Sequence, residues 1–327
     1  MDYGPNSIAF PSDLSQLTIT EQLGGSSHPQ KVKDLTTNQE YVMKKGFNKR
    51  HVVNEYRVNL CYYKMGCLVP QVKLYVKGKM VSSLEGIESL ADDDHNDIVV
   101  LSEFINNGIT WANFQKQRSE QECDQVRREM GHFFVLDCLF ANRDVIGVDD
   151  SNILIVEQQQ QALSPRTFSV YRIDNGGALS FRAQGKPKDP GEWGDFVSEI
   201  NLMLDDSFNV NTANVFGKGG AVDSNKMFQQ IMTISDHAQR CIYPYLSSQD
   251  VQIVKERLNY LRSIVGLYDF TATTSNSTTT TSTTFEVTEA DPQLVQTLME
   301  MGFSKEQSSA ALIASNNNVE AALSFLF

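Results

Sequence analysis

Asn142-Arg143-Asp144, Asn152-Ile153-Leu154-Ile155 and Ile173-Asp174-Asn175-Gly176 follow one another behind the apolar run Phe133-Phe134-Val135-Leu136-Asp137. The stretch sets two carboxylates and a carboxamide beside short β-type runs, which is how a chain assembles a metal and phosphate site. Each fragment alone says less, because Asp-Asn-Gly is ordinarily a hairpin turn supplied with the φ > 0 residues such turns need. Asp137 interrupts the apolar run and is expected to be a buried carboxylate satisfied by backbone donors, bracing the loop that follows.

Towards the N-terminus, residues 8–45 read as β-structure. Leu14, Leu17 and Ile19 precede Leu23-Gly24-Gly25-Ser26-Ser27, and Gln30 to Asp34 leads through Thr37-Asn38 to Glu40-Tyr41-Val42-Met43-Lys44. Gly24-Gly25 is either a plain hairpin turn or a glycine-rich loop whose backbone N–H groups approach phosphate. Lys44 ends an alternating strand, as a solvated edge charge or a phosphate ligand. Val52, Tyr56, Leu60 and Tyr63 recur at helical spacing in 52–65, and Glu55 adjoins that stripe, where a carboxylate can hold Lys44 in place.

Two further strands are expected over Gln71–Val76 and Ile98–Phe104. Between them, Asp92-Asp93-Asp94-His95 lacks the spaced ligands and the glycine of a calcium loop, so residues 82–97 read as a solvated loop. Asn106-Asn107-Gly108 breaks the second strand as a hinge, and Thr110 is placed to cap a short helix carrying Trp111 and Phe114. From Glu120 to Phe140 the apolar positions predict one long buried helix. Further helices are expected over Phe196–Leu204, Met227–Ile234 and Asp250–Val265, with no chemistry assigned to Asp236 or His237.

Residues 271–284 are almost entirely Thr, Ser, Ala and Asn; they cannot bury enough apolar area to offset their ordering entropy, which predicts a flexible linker over 271–287. A small separate module follows over 288–327, with helices at Pro292–Glu300, Ser304–Ser315 and Val319–Leu326. Pro292 sits at a first-turn position, and Ser304 with Gln307 has the spacing of a capping box.

The composition, 41% hydrophobic over 327 residues, is that of a globular chain with an ordinary core. No apolar run spans a membrane and the first residues lack the features of a signal peptide, so a cytoplasmic or nuclear location is expected. Cys61, Cys67, Cys123, Cys138 and Cys241 include no Cys-x-x-Cys pair and read as reduced core residues. A net charge of -12 argues against nucleic acid as a partner, although Lys44-Lys45 with Lys49-Arg50 offers a local basic patch for phosphate.

In order, Lys44, Glu55, Asp144, Asn152 and Asp174 resemble the strand lysine, helix glutamate, catalytic-loop aspartate and asparagine, and metal aspartate of the protein-kinase-like fold, without the usual His-Arg-Asp and Asp-Phe-Gly signatures. The form of these motifs is most similar to actin-fragmin kinase, and more distantly to type II phosphatidylinositol 4-kinases and HipA-like kinases, over roughly residues 10–268. Gly191-Glu192-Trp193-Gly194 and Asn211-Thr212-Ala213-Asn214-Val215-Phe216 share that resemblance. Two features depart from it: Val145 follows Asp144 while Arg143 precedes it, and the gap to Asn152 exceeds the four-residue spacer of ordinary kinases.

The resemblance implies a two-lobed α+β domain, with an N-lobe over 8–104 and a C-lobe over 105–270, that uses ATP and Mg2+. Lys44 would hold the phosphates with Glu55 orienting it, under a loop of Gly24, Gly25, Ser26 and Ser27. Asn152 and Asp174 would carry magnesium, Asp144 would meet the acceptor hydroxyl, and backbone near Glu103–Ile105 would receive adenine. Leu298-Met299-Glu300-Met301-Gly302-Phe303, Ala310-Ala311-Leu312 and Val319-Glu320-Ala321-Ala322-Leu323-Ser324-Phe325-Leu326 resemble a ubiquitin-associated (UBA) domain, a three-helix bundle. Gly302 permits the turn after its first helix, and Met301, Gly302, Phe303, Leu323 and Leu326 would form an apolar patch for ubiquitin or ubiquitinated proteins. The implied function is a protein kinase recruited by ubiquitin, with actin-related proteins among the implied substrates. A catalytically inactive ubiquitin-binding adaptor and a phosphoinositide kinase stand as alternatives.

Overall fold

In the computed structural model, the described residues are 7–25, 28–93, 95, 97–158, 166–265 and 290–300, with the single positions 305, 308, 309 and 312. They fall into two compact units, Met1–Tyr260 and Leu261–Phe327. The expected linker 271–287, the third helix of the C-terminal module, all of the second except positions 305, 308, 309 and 312, and Ser26, Ser27, Met301, Gly302, Phe303, Leu323 and Leu326 lie outside the described residues.

Side chains alternate across a strand, so a sheet whose two faces are both apolar needs cover on each. The first unit opens with such a sheet. β1 (Leu17–Gln22), β2 (Gln30–Asp34), β3 (Glu40–Lys44), β4 (Val72–Val76), β5 (Lys79–Met80) and β6 (Ile98–Glu103) lie in the order β1-β2-β3-β6-β4-β5, with every pair antiparallel. Val72, Leu74, Ile98 and Val100 point to one face, where Val52, Val53, Tyr56 and Leu60 of α1 (Lys49–Lys64) cover them. Val32, Tyr41, Tyr75, Val99 and Leu101 point to the other, beneath Ile8, Phe10 and Leu14. Tyr75 donates its hydroxyl to Pro11 O at 2.6 Å, and Tyr41 donates to Ala9 O. The N-terminal strap thus closes the face that no helix covers.

Residues 82–97 differ from the expected solvated loop. Ile87 and Ala91 bury themselves against the α1 side of the sheet, and this pulls Ile87–Asp92 into a helix, α2. The acids that follow meet the basic patch: Arg50 Nε lies 2.7 Å from Asp92, Lys45 Nζ 3.4 Å from Asp97, and Lys49 Nζ donates to Asp93 O at 2.6 Å. Two motifs that read separately in sequence, one for phosphate and one for solvent, partner each other.

The rest of the unit is largely helical. β7 (Ile109–Thr110) pairs with β8 (Ile153–Gln158), which pairs with β9 (Thr167–Arg172). Thr110 caps α3 (Trp111–Gln117), and Ser119 with Glu122 forms a capping box on α4 (Glu120–Gly131). The single helix expected to Phe140 is broken after α4 and resumes as α5 (Phe134–Leu139). Packing is close at this point: a Cβ on Gly131, the last residue of α4, would stand 2.2 Å from Ala221 O, so only glycine fits there. Gln230 of α8 (Ser224–Cys241) satisfies the backbone groups freed by the break, donating to Gly131 O at 2.8 Å and accepting from Val135 N at 2.9 Å.

Asp137 is buried as expected, but its partners are side chains rather than backbone donors. Arg172 forks onto it at 2.9 and 2.7 Å, and Tyr62 donates to it at 2.8 Å. A bidentate guanidinium matches a carboxylate better than separate backbone donors do. Later in the chain, α6 (Glu199–Leu202) is shorter than expected, α8 is longer, and α7 (Val210–Phe216) is an addition. α9 (Ser248–Ile264) holds the fully buried Arg257, which donates to Cys138 O, Leu139 O, Gly194 O and Phe196 O and pairs with Glu199 at 2.6 Å. The carbonyls at the end of α5 are thereby satisfied. All five cysteines are free, four of them buried. In the second unit, α10 (Pro292–Glu300) has the expected bounds. No helix among the described residues is long and apolar enough to cross a membrane.

Asp137→Ala leaves the Arg172 charge buried without its counter-ion, and should cost about 3–5 kcal/mol of stability in urea unfolding. Adding Arg172→Met should restore most of that loss; a double variant no more stable than the single one would show that the pair is not the cause.

Candidate functional site

The alternation of β3 turns Tyr41 and Met43 to the strap side and Val42 and Lys44 to the cleft side. Lys44 Nζ lies 2.8 Å from Glu55 on α1 and 2.9 Å from Asp174. Burial penalises the ammonium, but Asp174 and Glu55 together outweigh that penalty and hold it above the ordinary lysine range. The Lys44 charge in turn holds the Asp174 carboxyl below its ordinary value. Asp174 itself adopts φ 56°, ψ 48°, a left-handed conformation uncommon for a residue other than glycine.

Asp144 and Asn152 stand in the same region, and the long gap between them closes on itself. Gly147, at φ +82°, makes the turn; Gly147 N donates to Asp144 O and Asn152 N to Ile146 O, both near 3.0 to 3.1 Å. Asn152 Nδ2 then reaches back to Asp144 O at 2.8 Å and Asp144 Oδ2 at 3.1 Å. The extra residues therefore lie in a turn that returns the asparagine to the aspartate. Burial, then the charge of Asp174, pushes the Asp144 carboxyl up to about 6. Asn211, from the motif without an assigned role in sequence, clamps this turn by donating to Gly147 O at 2.9 Å and Val148 O at 2.6 Å.

A cavity of about 480 Å³ lies against Lys44, Asp174 and Asn152, and Asn152 bonds Asp144. Val42, Val72, Leu154 and Ile173 give it apolar walls; Lys44, Glu55, Asn152 and Asp174 line its polar end; Gly24 and Gly25 of the β1–β2 turn also line it. Gly25 has φ +115° and no atom stands within 3.8 Å of where a Cβ would lie, so this backbone is open to close approach. Glu103, Phe104 and Ile105 line the cavity at the hinge. Of these, the Glu103 N–H is already donated to Gln71 O at 2.8 Å and the Phe104 N–H to Glu40 O at 3.4 Å, which leaves Ile105 as the hinge residue able to offer its amide. The Glu103 carboxyl, raised by burial, accepts from Gln71 N.

Several supporting residues carry no sequence signal of their own. Asn142 donates to Tyr62 Oη and Asn175 Oδ1, each at 3.2 Å, and Asn175 donates to Asn59 Oδ1 at 3.1 Å. Asn54 donates to Gly176 O and Ala178 O. Asn54, Asn59 and Tyr62 are buried on α1, and polar residues on a buried helix face were the available hint. His51, edge-on between Phe47 and Phe181, packs so closely that a Cβ on Gly176 would lie 2.5 Å from Nε2; burial lowers its pKa and keeps it neutral.

Lys188 gives all three ammonium protons to carbonyls: Ala141 at 2.7 Å, Gly177 at 2.8 Å and Leu179 at 2.9 Å. Burial pushes its pKa down to about 7, against the opposing pull of the Glu199 charge. It ties the residues just before Asn142-Arg143-Asp144 to those just after Asp174-Asn175-Gly176. Arg143, whose position before Asp144 departs from the ordinary pattern, is occupied by Glu199 at 2.8 and 3.0 Å, and Glu199 is shared with Arg257. The glycine-tryptophan motif contributes Trp193, which stacks under Arg257 at 5.1 Å and donates to Asp250 at 3.2 Å.

Magnesium asks for a few hard oxygen ligands and keeps waters or phosphates for the rest. Asp174 and Asn152 supply a carboxylate and a carboxamide oxygen on one cavity wall, a donor set that fits. A larger cluster is neither required nor found: among the described residues no group of three or more His, Cys, Asp or Glu is placed to hold a metal.

No curated protein matches the chain. Among solved structures, it is similar to the crystal structure of CtkA, a Helicobacter pylori proinflammatory kinase, at 14% identity over 76% of this chain and 92% of that chain, with a TM-score of 0.39. The family model of the UBA/TS-N domain matches residues 290–326, and this segment of the chain is a UBA domain.

Proposed function

We propose that the first unit is an ATP-dependent phosphotransferase acting on protein hydroxyls, and that the UBA domain recruits ubiquitin or ubiquitinated proteins to it. The observation that carries this reading is the placement of Lys44 between Glu55 and Asp174 at 2.8 and 2.9 Å, with Asn152 on the same cavity and bonded to Asp144 at 3.1 Å. Phosphoryl transfer needs little from a protein beyond positioning and charge: a lysine on the phosphates, oxygen ligands for magnesium, and a carboxylate near the attacking hydroxyl. Each of these three roles has a candidate side chain here.

Lys44, kept charged by two carboxylates, binds the phosphates, and Glu55 fixes where its ammonium points. The apolar walls of Val42, Val72 and Leu154 take the adenine, with the Ile105 amide as its hinge donor. Asp174 and Asn152 hold the magnesium, which neutralises charge on the phosphates. Asp144 accepts a hydrogen bond from the acceptor hydroxyl and orients it, with Asn152 bonding the far side of that carboxylate. Lys188 and the Arg143–Glu199–Arg257 network hold this loop in place without any added group. The net charge of -12 supports a protein acceptor over an anionic lipid surface.

Asp174→Ala should abolish phosphate transfer from labelled ATP into a protein lysate while the thermal unfolding midpoint stays within a few degrees of wild type. Undiminished transfer would falsify the assignment; a wild-type protein that binds ATP–magnesium but transfers nothing would favour the adaptor reading.

Because Asp144 must be ionised to accept the hydroxyl proton, the transfer rate should fall as pH drops through about 6, the value to which its carboxyl is raised. Asp174, held low by Lys44, stays ionised over that range. A pH–rate profile flat from pH 5 to 8, in a protein shown to remain folded, would remove Asp144 from this role.

Removing residues 285–327 should lower phosphorylation of a ubiquitinated substrate relative to its bare form, since tethering raises local concentration without altering the chemistry. Equal rates on both substrates before and after truncation would end the recruitment idea.

A further inference from the structure

Beside Asp144 the cleft has a rim that the phosphotransfer chemistry leaves unused. Val148 is 90% exposed, Phe208 56% and Val210 54%. Their backbones are stitched to the catalytic loop: Asn211 bonds Gly147 O and Val148 O, and Asn209, between Phe208 and Val210, donates to Arg143 O at 3.3 Å. Asn209 also caps α7, which fixes Val210 at the first helical position. Three large apolar side chains held out of the core on a braced backbone mark an interaction surface rather than a loose loop.

The charge around them has one sign. From Asp189 to Phe216 the chain carries Asp189, Glu192, Asp195, Glu199, Asp205 and Asp206 and no Lys or Arg. From Asp144 to Glu157 it carries Asp149 and Asp150 between those ends and again no base. Glu192 and Glu199 are answered by Arg182, Arg143 and Arg257 from elsewhere. The exposed Asp149, Asp205 and Asp206 enter no ion pair among the described residues. Asp149 also lines the cavity, and its charge contributes to raising Asp144, so the acidic field reaches the place where the acceptor must enter.

Resting on the phosphotransferase reading, we propose that Val148–Asp149 and Asp205–Val210 form the docking surface for the acceptor, and that the acceptor is a polypeptide segment with an apolar side chain flanked by lysine or arginine. Apolar contact alone would admit many partners, and acidic charge alone would attract any cation. The two together require a chain that carries both characters within a few residues. Anionic headgroups and free nucleotides meet an unfavourable field at this rim, whereas a basic segment is steered toward Asp144.

The test is a positional-scanning library of serine and threonine peptides phosphorylated by the full chain with labelled ATP. Wild type should prefer an apolar residue flanked by Arg or Lys. Phe208→Ser should raise the peptide KM by about tenfold, and Asp206→Asn or Asp149→Asn should weaken the Arg preference by roughly threefold each, all with ATP KM unchanged. Identical peptide selectivity in the variants, a preference for acidic peptides, or transfer only to phosphoinositide vesicles would overturn the proposal. Transfer to no peptide at all would also overturn it, and calorimetric ATP–magnesium binding in the same samples would separate the two readings. If binding is intact and a protein lysate is still phosphorylated, the docking surface alone fails; if the lysate also receives no phosphate, the phosphotransferase reading falls with it.

Discussion

Arg172 is a full charge withdrawn from water, and such a group is tolerated only when its donors are met. It forks onto Asp137, donates to Met130 O at 2.8 Å and reaches the Cys67 sulfur at 3.4 Å. Asp137 accepts from Tyr62, Tyr62 accepts from Asn142, and Asn142 donates to Asn175, which donates to Asn59. One buried ion pair therefore continues as a hydrogen-bonded chain through α1, the segment before Asp144 and the segment after Asp174. The residues that would meet the metal and the acceptor are held relative to one another because breaking any link of this buried chain would strand a donor or a charge away from water.

Around that centre, cations are set among backbone carbonyls at each place where two segments meet. Arg257 gathers the carbonyls at the end of α5 and of the 194–196 loop, and Lys188 gathers those at Ala141, Gly177 and Leu179. Lys44 differs: its partners are two carboxylates, and one of them, Asp174, is also the candidate metal ligand. The pairing keeps both groups charged, and a bound phosphate would give Lys44 an alternative anion. Arg143 is already matched by a resident glutamate, so the loop carrying Asp144 is ordered by groups the chain itself supplies.

Charge elsewhere is sorted as well as balanced. The basic patch at Lys45–Arg50 is neutralised by the acids of 92–97, which removes a phosphate-binding surface that composition alone suggested. Asp149, Asp205 and Asp206, near Val148, Phe208 and Val210, enter no ion pair among the described residues.

Lys44, Glu55, Asp144, Asn152 and Asp174 stood out as candidates because each sits in a local pattern of strand, helical stripe or turn and because their order resembles that of the protein-kinase-like fold. The strands β2, β3, β4 and β6, helix α1 and helix α10 follow from periodicity for the same reason. Local pattern could not show that Gly131 meets Ala221 O where the long helix is interrupted, that Ile87 and Ala91 find the sheet within a helix, or that Asp137 waits for an arginine 35 residues later. Nor could it show Lys188 or Asn211 at work, since both act on backbone carbonyls of segments remote in sequence, and a carbonyl leaves no trace in the residue type. What the sequence by itself determined is the inventory of charged groups and the elements that carry them. The tertiary structure decided which of those groups meet, because burial demands partners and only the fold determines which partners are within reach.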